Sequence, residues 1–240
     1  MRNLFLFALL IVLLLVVQFS TAKTVDEVIE QYIRARGGRD KLSAVKSIYM
    51  EGMKETNGGN VQVKMIKEQD KLSRTEIENN VVVITAEEAW TFFPLVSPEP
   101  KPVPSDNLRD IQTEMDIAGP LVDYAAKGHR AELLGKEQLA ENTCYKIKLT
   151  TQGGNVMLFW IDLSSHLLVQ SSVISMDQAY SKSLIYYSNY KAVDGMQFPH
   201  TFETNSNRKM NNAHGSEIVF HTIQINPVIQ PAMYQPNIQS

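Results

Sequence analysis

The stretch that decides the fold runs from Val156 to Phe202, reading VMLFWIDLSSHLLVQSSVISMD over 156–177 and SKSLIYYSNYKAVDGMQFPHTF over 181–202. It contains three consecutive strand-length segments rich in aromatic, β-branched and hydroxyl residues. Asp-Leu-Ser-Ser, Asp-Gln-Ala and Val-Asp-Gly separate them, which is the pattern of a β-meander. Successive strand side chains leave opposite faces, so Leu158 and Trp160 point one way while Met157, Phe159 and Ile161 point the other. Both faces carry bulk. One can pack on a core; the second must be covered or used.

Strands continue on either side of this stretch. Toward the C-terminus Ser216 to Ile225 reads as a last strand that stops at Asn226-Pro227, and Pro227, Pro231 and Pro236 make the tail an extended strap. Toward the N-terminus strands are expected at Arg130 to Leu134 and Cys144 to Thr150, with a turn at Gly153-Gly154. Further upstream lie Ile48 to Lys54, Val61 to Glu68, Leu72 to Ile77, Val81 to Thr85 and an aromatic strand from Trp90 to Phe93. Thr56 to Asn60 and Asn79-Asn80 supply turns. Between these groups Pro94 to Pro104 holds five prolines in eleven residues, too many for an interior strand because proline cannot donate to the ladder. A helix from Leu108 to Ile117 is expected after it, broken by Gly119-Pro120 before a short amphipathic piece, Leu121 to Lys127. A proline-rich linker and short helices in the middle of a sheet suit a lid across an open sheet, with Leu108, Ile111, Met115, Leu121 and Tyr124 as its apolar side. The same composition suits a plain surface excursion.

The chain before the first strand holds one amphipathic helix. Thr24 and Glu27 have capping-box spacing, Val25, Val28, Ile29, Tyr32 and Ile33 recur at the helical period, and Gly37-Gly38 ends it. Neither this helix nor the sheet can bury its apolar face alone, so the sheet is expected to wrap the helix. The class is therefore α+β, mainly antiparallel β, in one domain over 23–240. Residues 1–22 read as a signal peptide: Arg2 is positive, Leu4 to Val17 is an apolar run of 14 residues, and Ser20-Thr21-Ala22 offers small residues for cleavage near Ala22. An uncleaved anchor competes with this reading, but a spanning helix needs about 20 apolar residues.

Composition excludes several function classes. The whole chain carries 23 Lys and Arg against 26 Asp and Glu; without residues 1–22 the balance is 22 against 26. No basic block or stripe is present, so nucleic acid is not an expected partner. The lone Cys144 has no intramolecular partner and reads as a small buried hydrophobe. No Asn-x-Ser/Thr sequon occurs, which with the compact leader favours a bacterial periplasm. His129, His166, His200, His214 and His221 are scattered without metal-ligand spacing, and no nucleophile elbow or Gly-rich phosphate loop is present. No metal, no cofactor and no catalytic residue is expected. Glu87-Glu88 and Asp162 read as solvated turn formers, and His200 as a hydrogen-bonded histidine where a strand begins after Pro199.

What exceeds the needs of one covered sheet face is apolar and aromatic surface, together with ten methionines. A concave apolar face of an incompletely closed sheet is a recipe for holding an acyl chain or another greasy ligand, and methionine repacks readily around variable shapes. The residues expected to line it are Met50, Met65, Trp90, Phe92, Leu158, Trp160, Tyr186 and Phe202.

Several motifs carry a family resemblance. Arg36-Gly37-Gly38 with Lys41-Leu42 and Val45-Lys46-Ser47, Gly119-Pro120-Leu121-Val122-Asp123-Tyr124 with Lys127-Gly128-His129, and Phe159-Trp160-Ile161-Asp162 resemble exported LolA-like proteins, the outer-membrane lipoprotein-sorting kind. So do Tyr187-Ser188-Asn189-Tyr190-Lys191, Val193-Asp194-Gly195, Phe198-Pro199-His200 and Ile225-Asn226-Pro227. The likeness spans nearly all of 24–236. It implies an unclosed LolA/LolB-like half-barrel wrapped on the helix with short lid helices, a periplasmic location, and binding of lipoprotein acyl chains or related hydrophobic ligands. Two departures stand out. Lys67-Glu68-Gln69-Asp70 replaces the Lys-Arg-Pro-Asn/Asp motif whose arginine latches the lid, and Thr85-Ala86-Glu87-Glu88 replaces the Asp-Gly-Lys-Thr turn. The expected function is a non-enzymatic periplasmic carrier. The alternative is an envelope lipid-sensing regulatory module that binds a membrane-protein partner, and a hydrolase is the third reading.

Overall fold

A computed structural model describes residues 23–56, 58–104, 108–174, 182–206 and 216–236. The leader at 1–22, the Asp-Gln-Ala break at 177–179 and His214 lie outside the described residues. The strands are β1 (Ser47–Thr56), β2 (Gly59–Glu68), β3 (Leu72–Ile77), β4 (Asn80–Thr85), β5 (Ala89–Phe92), β6 (Lys101–Pro102), β7 (Arg130–Leu139), β8 (Asn142–Thr150), β9 (Val156–Asp162), β10 (Leu168–Ile174), β11 (Lys182–Val193), β12 (Met196–Ser206) and β13 (Ser216–Ile225). The decisive stretch thus holds four strands, β9 to β12, where three were expected.

The thirteen strands form one antiparallel sheet in the order β6-β5-β4-β3-β2-β1-β13-β12-β11-β10-β9-β8-β7. Every neighbour but one is also a neighbour in sequence, as short hairpin connections require. At the β11–β12 hairpin Asp194 and Gly195 both take positive φ, 49° and 74°, the geometry of a two-residue primed turn that matches strand twist. The exception is β1 against β13, which joins the N-terminal and C-terminal halves. Gly52 makes that junction possible: the register shifts beside it, and a Cβ there would lie 2.2 Å from the Val219 carbonyl oxygen. The two outer strands, β6 and β7, are consecutive in sequence. The chain between them, 103–129, therefore has to run from one edge of the unclosed sheet to the other.

Helix α1 (Val25–Ala35) lies in the concavity. Its capping box is formed, with Glu27 N–H donating to Thr24 Oγ1 at 3.2 Å and Thr24 N–H to Glu27 Oε2 at 2.8 Å. Val28, Ile29, Tyr32 and Ile33 are buried against Ile48, Met50, Val63, Ile147, Leu149, Phe159, Ile161 and Phe220 of the sheet. A short α2 (Arg39–Ala44) follows. The outer face of the first half has its own core, Ile66, Leu72, Val81 and Val83, covered by Tyr49, Phe92 and the tail residues Ile229, Met233 and Tyr234. The tail is a strap that lacks regular structure over 227–230, as its prolines imply, but Pro231–Tyr234 winds into a 3-10 turn with Pro231 at its start. The region after the proline-rich loop is less helical than expected: α3 spans only Leu108–Ile111, Gln112–Met115 is a 3-10 turn, and 120–128 consists of turns. Gly119 at φ 91° and Asp123 at φ 54° break the helical path where the sequence also carries Pro120.

Candidate functional site

The described residues of the connection 103–129, chiefly 108–129, close over the concave face as a lid. Its first part is anchored by a small cluster in which Met115 packs with Ile84 and Ala89, joined by Leu108 and Ile111. Its second part enters the main core through Leu121 and Val122, with Tyr124 packed alongside. Polar ties fix it further. Gln112 Nε2 donates to the Ala86 carbonyl at 2.8 Å, Ile117 N–H to Gln69 Oε1 at 3.0 Å, and Tyr124 Oη to Asp26 Oδ1 at 2.7 Å. Lys67 meets Glu114 at 3.4 Å. Lys67 and Gln69, on either side of Glu68, thus hold the lid.

A cavity of about 230 Å³ remains beneath it. Its apolar wall comes from Met157 and Phe159 on β9, Leu168 on β10, and Ile117, Pro120 and Leu121 of the lid. Tyr187 and Tyr190 of β11 also line it. Being three residues apart they would leave a flat strand on opposite faces, but Asn189 between them takes φ 54° and the ladder to β12 skips that position. Their hydroxyls are satisfied within the wall: Tyr187 Oη lies 2.9 Å from Ser171 Oγ, and Tyr190 Oη donates to the Leu168 carbonyl at 2.7 Å. Burial pushes the Tyr187 phenol up to about 12 and that of Tyr190 well above its ordinary value, so both stay neutral at any working pH. The volume is somewhat below the roughly 300–1,000 Å³ of sites that enclose a drug-sized ligand.

The polar end of the cavity is Arg36, one residue past the end of α1. Its main chain docks the helix on the sheet, the carbonyl accepting from Gln197 N–H at 3.0 Å. The residue is only 8% exposed. Nη1 donates to the Ala118 carbonyl of the lid at 2.9 Å and to Tyr32 Oη at 3.2 Å, and Cζ stands 5.5 Å from the centre of the Phe198 ring. Among the described residues it forms no ion pair. Burial works against its charge, but Tyr32, Tyr190 and Asp116 outweigh this and hold the group above its ordinary value. The C-terminal end of α1 favours a cation by about 0.3–1 kcal/mol, against a desolvation cost of several kcal/mol for a buried ion.

The sequence-derived lining residues fall in several places. Met50 is buried in the main core, and Met65 and Phe202 pack against that core. Leu158, Trp160 and Tyr186 face the other way: Lys146, Trp160, Gln170 and Tyr186 form one row of paired residues across β8 to β11, with Lys146 Nζ 5.0 Å from the Trp160 ring centre. The neighbours Met157, Phe159 and Tyr187 take the concave side. Phe92 belongs to the outer core, and Trp90, two residues away and paired with Val83 of that core, shares its face. None of the eight lines the cavity; of the five lid residues Leu121 does. The strand pattern does not mark Arg36, Tyr32 and Tyr190 as lining residues, and the signal in the sequence that points to them is Arg36 itself, a charge at the end of an amphipathic helix one turn after its buried Tyr32.

The remaining polar candidates have structural partners. His200 is buried and its Nδ1 lies 2.7 Å from the Phe220 carbonyl. Asp162 Oδ2 accepts from the amides and hydroxyls of Ser164 and Ser165 at 2.6–3.1 Å; burial raises its proton affinity, but these bonds prevail and hold the carboxyl below its ordinary value. The Cys144 thiol is buried and pushed up to about 11 chiefly for that reason. No group of three His, Cys, Asp or Glu residues able to hold a metal occurs among the described residues, and no helix among them is long and apolar enough to cross a membrane.

An open antiparallel sheet curved around one helix, with a lid joining its two edges, defines the LolA-like half-barrel, and solved structures show the same fold. A LolA superfamily protein from Nitrosomonas europaea matches with a TM-score of 0.56 and 14% identity, over 89% of this chain and 99% of that one. A DUF1329 family protein from Desulfovibrio piger gives 0.61 and 12%, over 89% and 98%. A putative outer membrane lipoprotein-sorting protein domain from Vibrio parahaemolyticus gives 0.53 and 12%, over 87% and 94%. No curated protein sequence matches. A family model whose description reads only "uncharacterized protein" matches residues 84–238, more than half of the chain, and the chain belongs to that family.

Proposed function

We propose that this protein is a non-catalytic carrier or binding protein of the bacterial periplasm that holds an acyl chain, of a lipoprotein or of another hydrophobic ligand, in the concavity of its half-barrel. The observation that carries the reading is the cavity walled by Met157, Phe159, Leu168 and Leu121 directly beneath a lid that joins the two sheet edges. The first part of the lid is tied to the sheet by the small Met115 cluster and by side-chain bonds from Lys67 and Gln69, so it can part while Leu121 and Val122 stay in the core, and ligand uptake would enlarge a space that is small when closed. Each buried methylene contributes about 0.8 kcal/mol, so capture of a chain of moderate length would dominate affinity. The likeness to a lipoprotein-sorting domain supports the same reading. Export, with cleavage near Ala22, belongs to the proposal.

Native mass spectrometry of protein extracted from its own cell envelope tests this. The expected result is a population carrying the extra mass of a lipid, displaced by added decanol. A bare chain mass alone, together with no binding of decanol, decanoate, methyl decanoate or decyl phosphate by the purified protein, would sink the proposal.

A further inference from the structure

Three ionic groups besides Arg36 line the cavity, Lys67, Glu114 and Asp116. Lys67 is paired with Glu114 at 3.4 Å, and Asp116 Oδ2 is held by Lys127 Nζ at 2.6 Å. The four lining charges sum to zero, but Asp116 is engaged by Lys127 from outside the lining, so the guanidinium of Arg36 is the lining charge that makes no direct ion pair among the described residues. Asp116 acts on it from the same cavity but makes no direct contact within ion-pair distance. The two hydrogen bonds of Arg36 both use Nη1. Nε–H and Nη2, the edge that pairs side by side with a carboxylate or phosphate, make no hydrogen bond among the described residues. A guanidinium cannot lose its proton in a protein, so the buried positive charge persists at every working pH. The apolar walls of Met157, Phe159 and Leu168 belong to the same cavity.

Resting on the reading of the cavity as an acyl-chain site, we infer that its ligand is a single-chain amphiphile with an anionic head, whose carboxylate or phosphate oxygens pair with the free edge of Arg36. A charged head would complete the coordination that the protein leaves open, and the chain would lie against the β9 and β10 wall. The arrangement selects against neutral esters and alcohols, because these leave the guanidinium without a counter-charge.

Isothermal titration with decanoate, methyl decanoate, decanol and decyl phosphate separates the contributions. Decanoate or decyl phosphate should bind about tenfold or more tightly than methyl decanoate, the gap expected from a charge-assisted hydrogen bond; the tighter of the two anions identifies the head group. In Arg36→Met the acid and the ester should converge. Equal affinity of acid and ester for the unaltered protein overturns the anion site and leaves hydrophobic capture standing. A preference for the acid that survives Arg36→Met overturns the role of Arg36. Should that variant fail to fold, the comparison of acid with ester in the unaltered protein decides alone, and no binding of any of the four overturns the acyl-chain reading as well.

Discussion

Two arginines are buried on opposite faces of the sheet, and their surroundings differ in kind. On the outer face Arg74 has no exposed side-chain surface; Nε donates to Glu76 Oε1 at 2.6 Å, and Nη1 reaches the carbonyls of Met233 and Gln235 in the tail. Its charge has a carboxylate, and its donors fasten the strap over Ile66, Leu72, Val81 and Val83. In the concavity Arg36 is held by one lid carbonyl and one phenol and has no carboxylate partner among the described residues. The outer face is a finished core closed by its own tail. The inner face combines apolar walls, a lid and a cation without a direct ion pair among the described residues, which is what a binding site leaves for its ligand.

Arg74→Met is where the contrast should be largest. The substitution leaves Glu76, whose side chain is 17% exposed, without its partner and frees the strap, and breaking a buried pair on one side costs about 3–5 kcal/mol. Urea unfolding should show a loss of unfolding free energy of that size. A shift under about 1 kcal/mol would mean that the strap is held by Met233 and Tyr234 packing alone.

Phe159→Ala tests the inner wall with a smaller loss. Phe159 is 4% exposed and borders a space that already exists, so the cost should lie at the low end of the usual range, about 3 kcal/mol. The enlarged cavity should accept a longer or branched chain. Unfolding curves with and without decanol check both statements, since a ligand that fills the new space restores part of the loss.

Much of this architecture is legible in the sequence, and the part that is not has a specific cause. The capping box at Thr24 and Glu27 and the Val193-Asp194-Gly195 hairpin are local chemistry, and each forms as read, whereas the proline-marked tail is a strap with a 3-10 turn at Pro231–Tyr234. The inward face of β9 is not local. Leu158 and Trp160 are as apolar as Met157 and Phe159, and on a sheet covered on both sides alternation says that two faces exist without saying which is concave. Tyr187 and Tyr190 add a second difficulty, because the left-handed Asn189 between them brings both to one cavity against the period of the strand. The shortened α3 follows from Gly119 and Pro120, which lie beyond its expected end but impose a path that only the crossing from β6 to β7 explains. Arg36 reads as an ordinary basic residue at a helix end until the lid is placed over it.

Acid should weaken the meander by a moderate amount. The folded Asp162 carboxyl is held below its ordinary value by the Ser164 and Ser165 bonds, so its contribution is complete above the unfolded value near 4 and is lost as pH falls through the lower folded value. Glu68, lowered chiefly by Lys71 and also by Tyr234, adds in the same direction. Asp162→Ala should cost about 2 kcal/mol at neutral pH, and unfolding of the variant should depend less on pH below about 4. An unchanged acid slope would assign the dependence to other carboxylates.

Arg36→Met should show the smallest stability change, and for that reason it bears most directly on the contrast between the faces. Removing the side chain leaves the Ala118 carbonyl and the Tyr32 hydroxyl without a partner, a loss of about 1–3 kcal/mol. It also removes a dehydrated charge that makes no direct ion pair, and an unbranched apolar chain of comparable length fills the space against Phe198, which together offset most of that loss. The two should cancel to within about 1 kcal/mol in the ligand-free protein, measured by the same urea titration used for Arg74→Met. One substitution at two buried arginines would then give a large loss on the outer face and almost none in the concavity. Equal losses at both positions would show that Arg36 serves the fold as Arg74 does, through its bonds to the lid and to α1, and that its charge is not held open for a ligand.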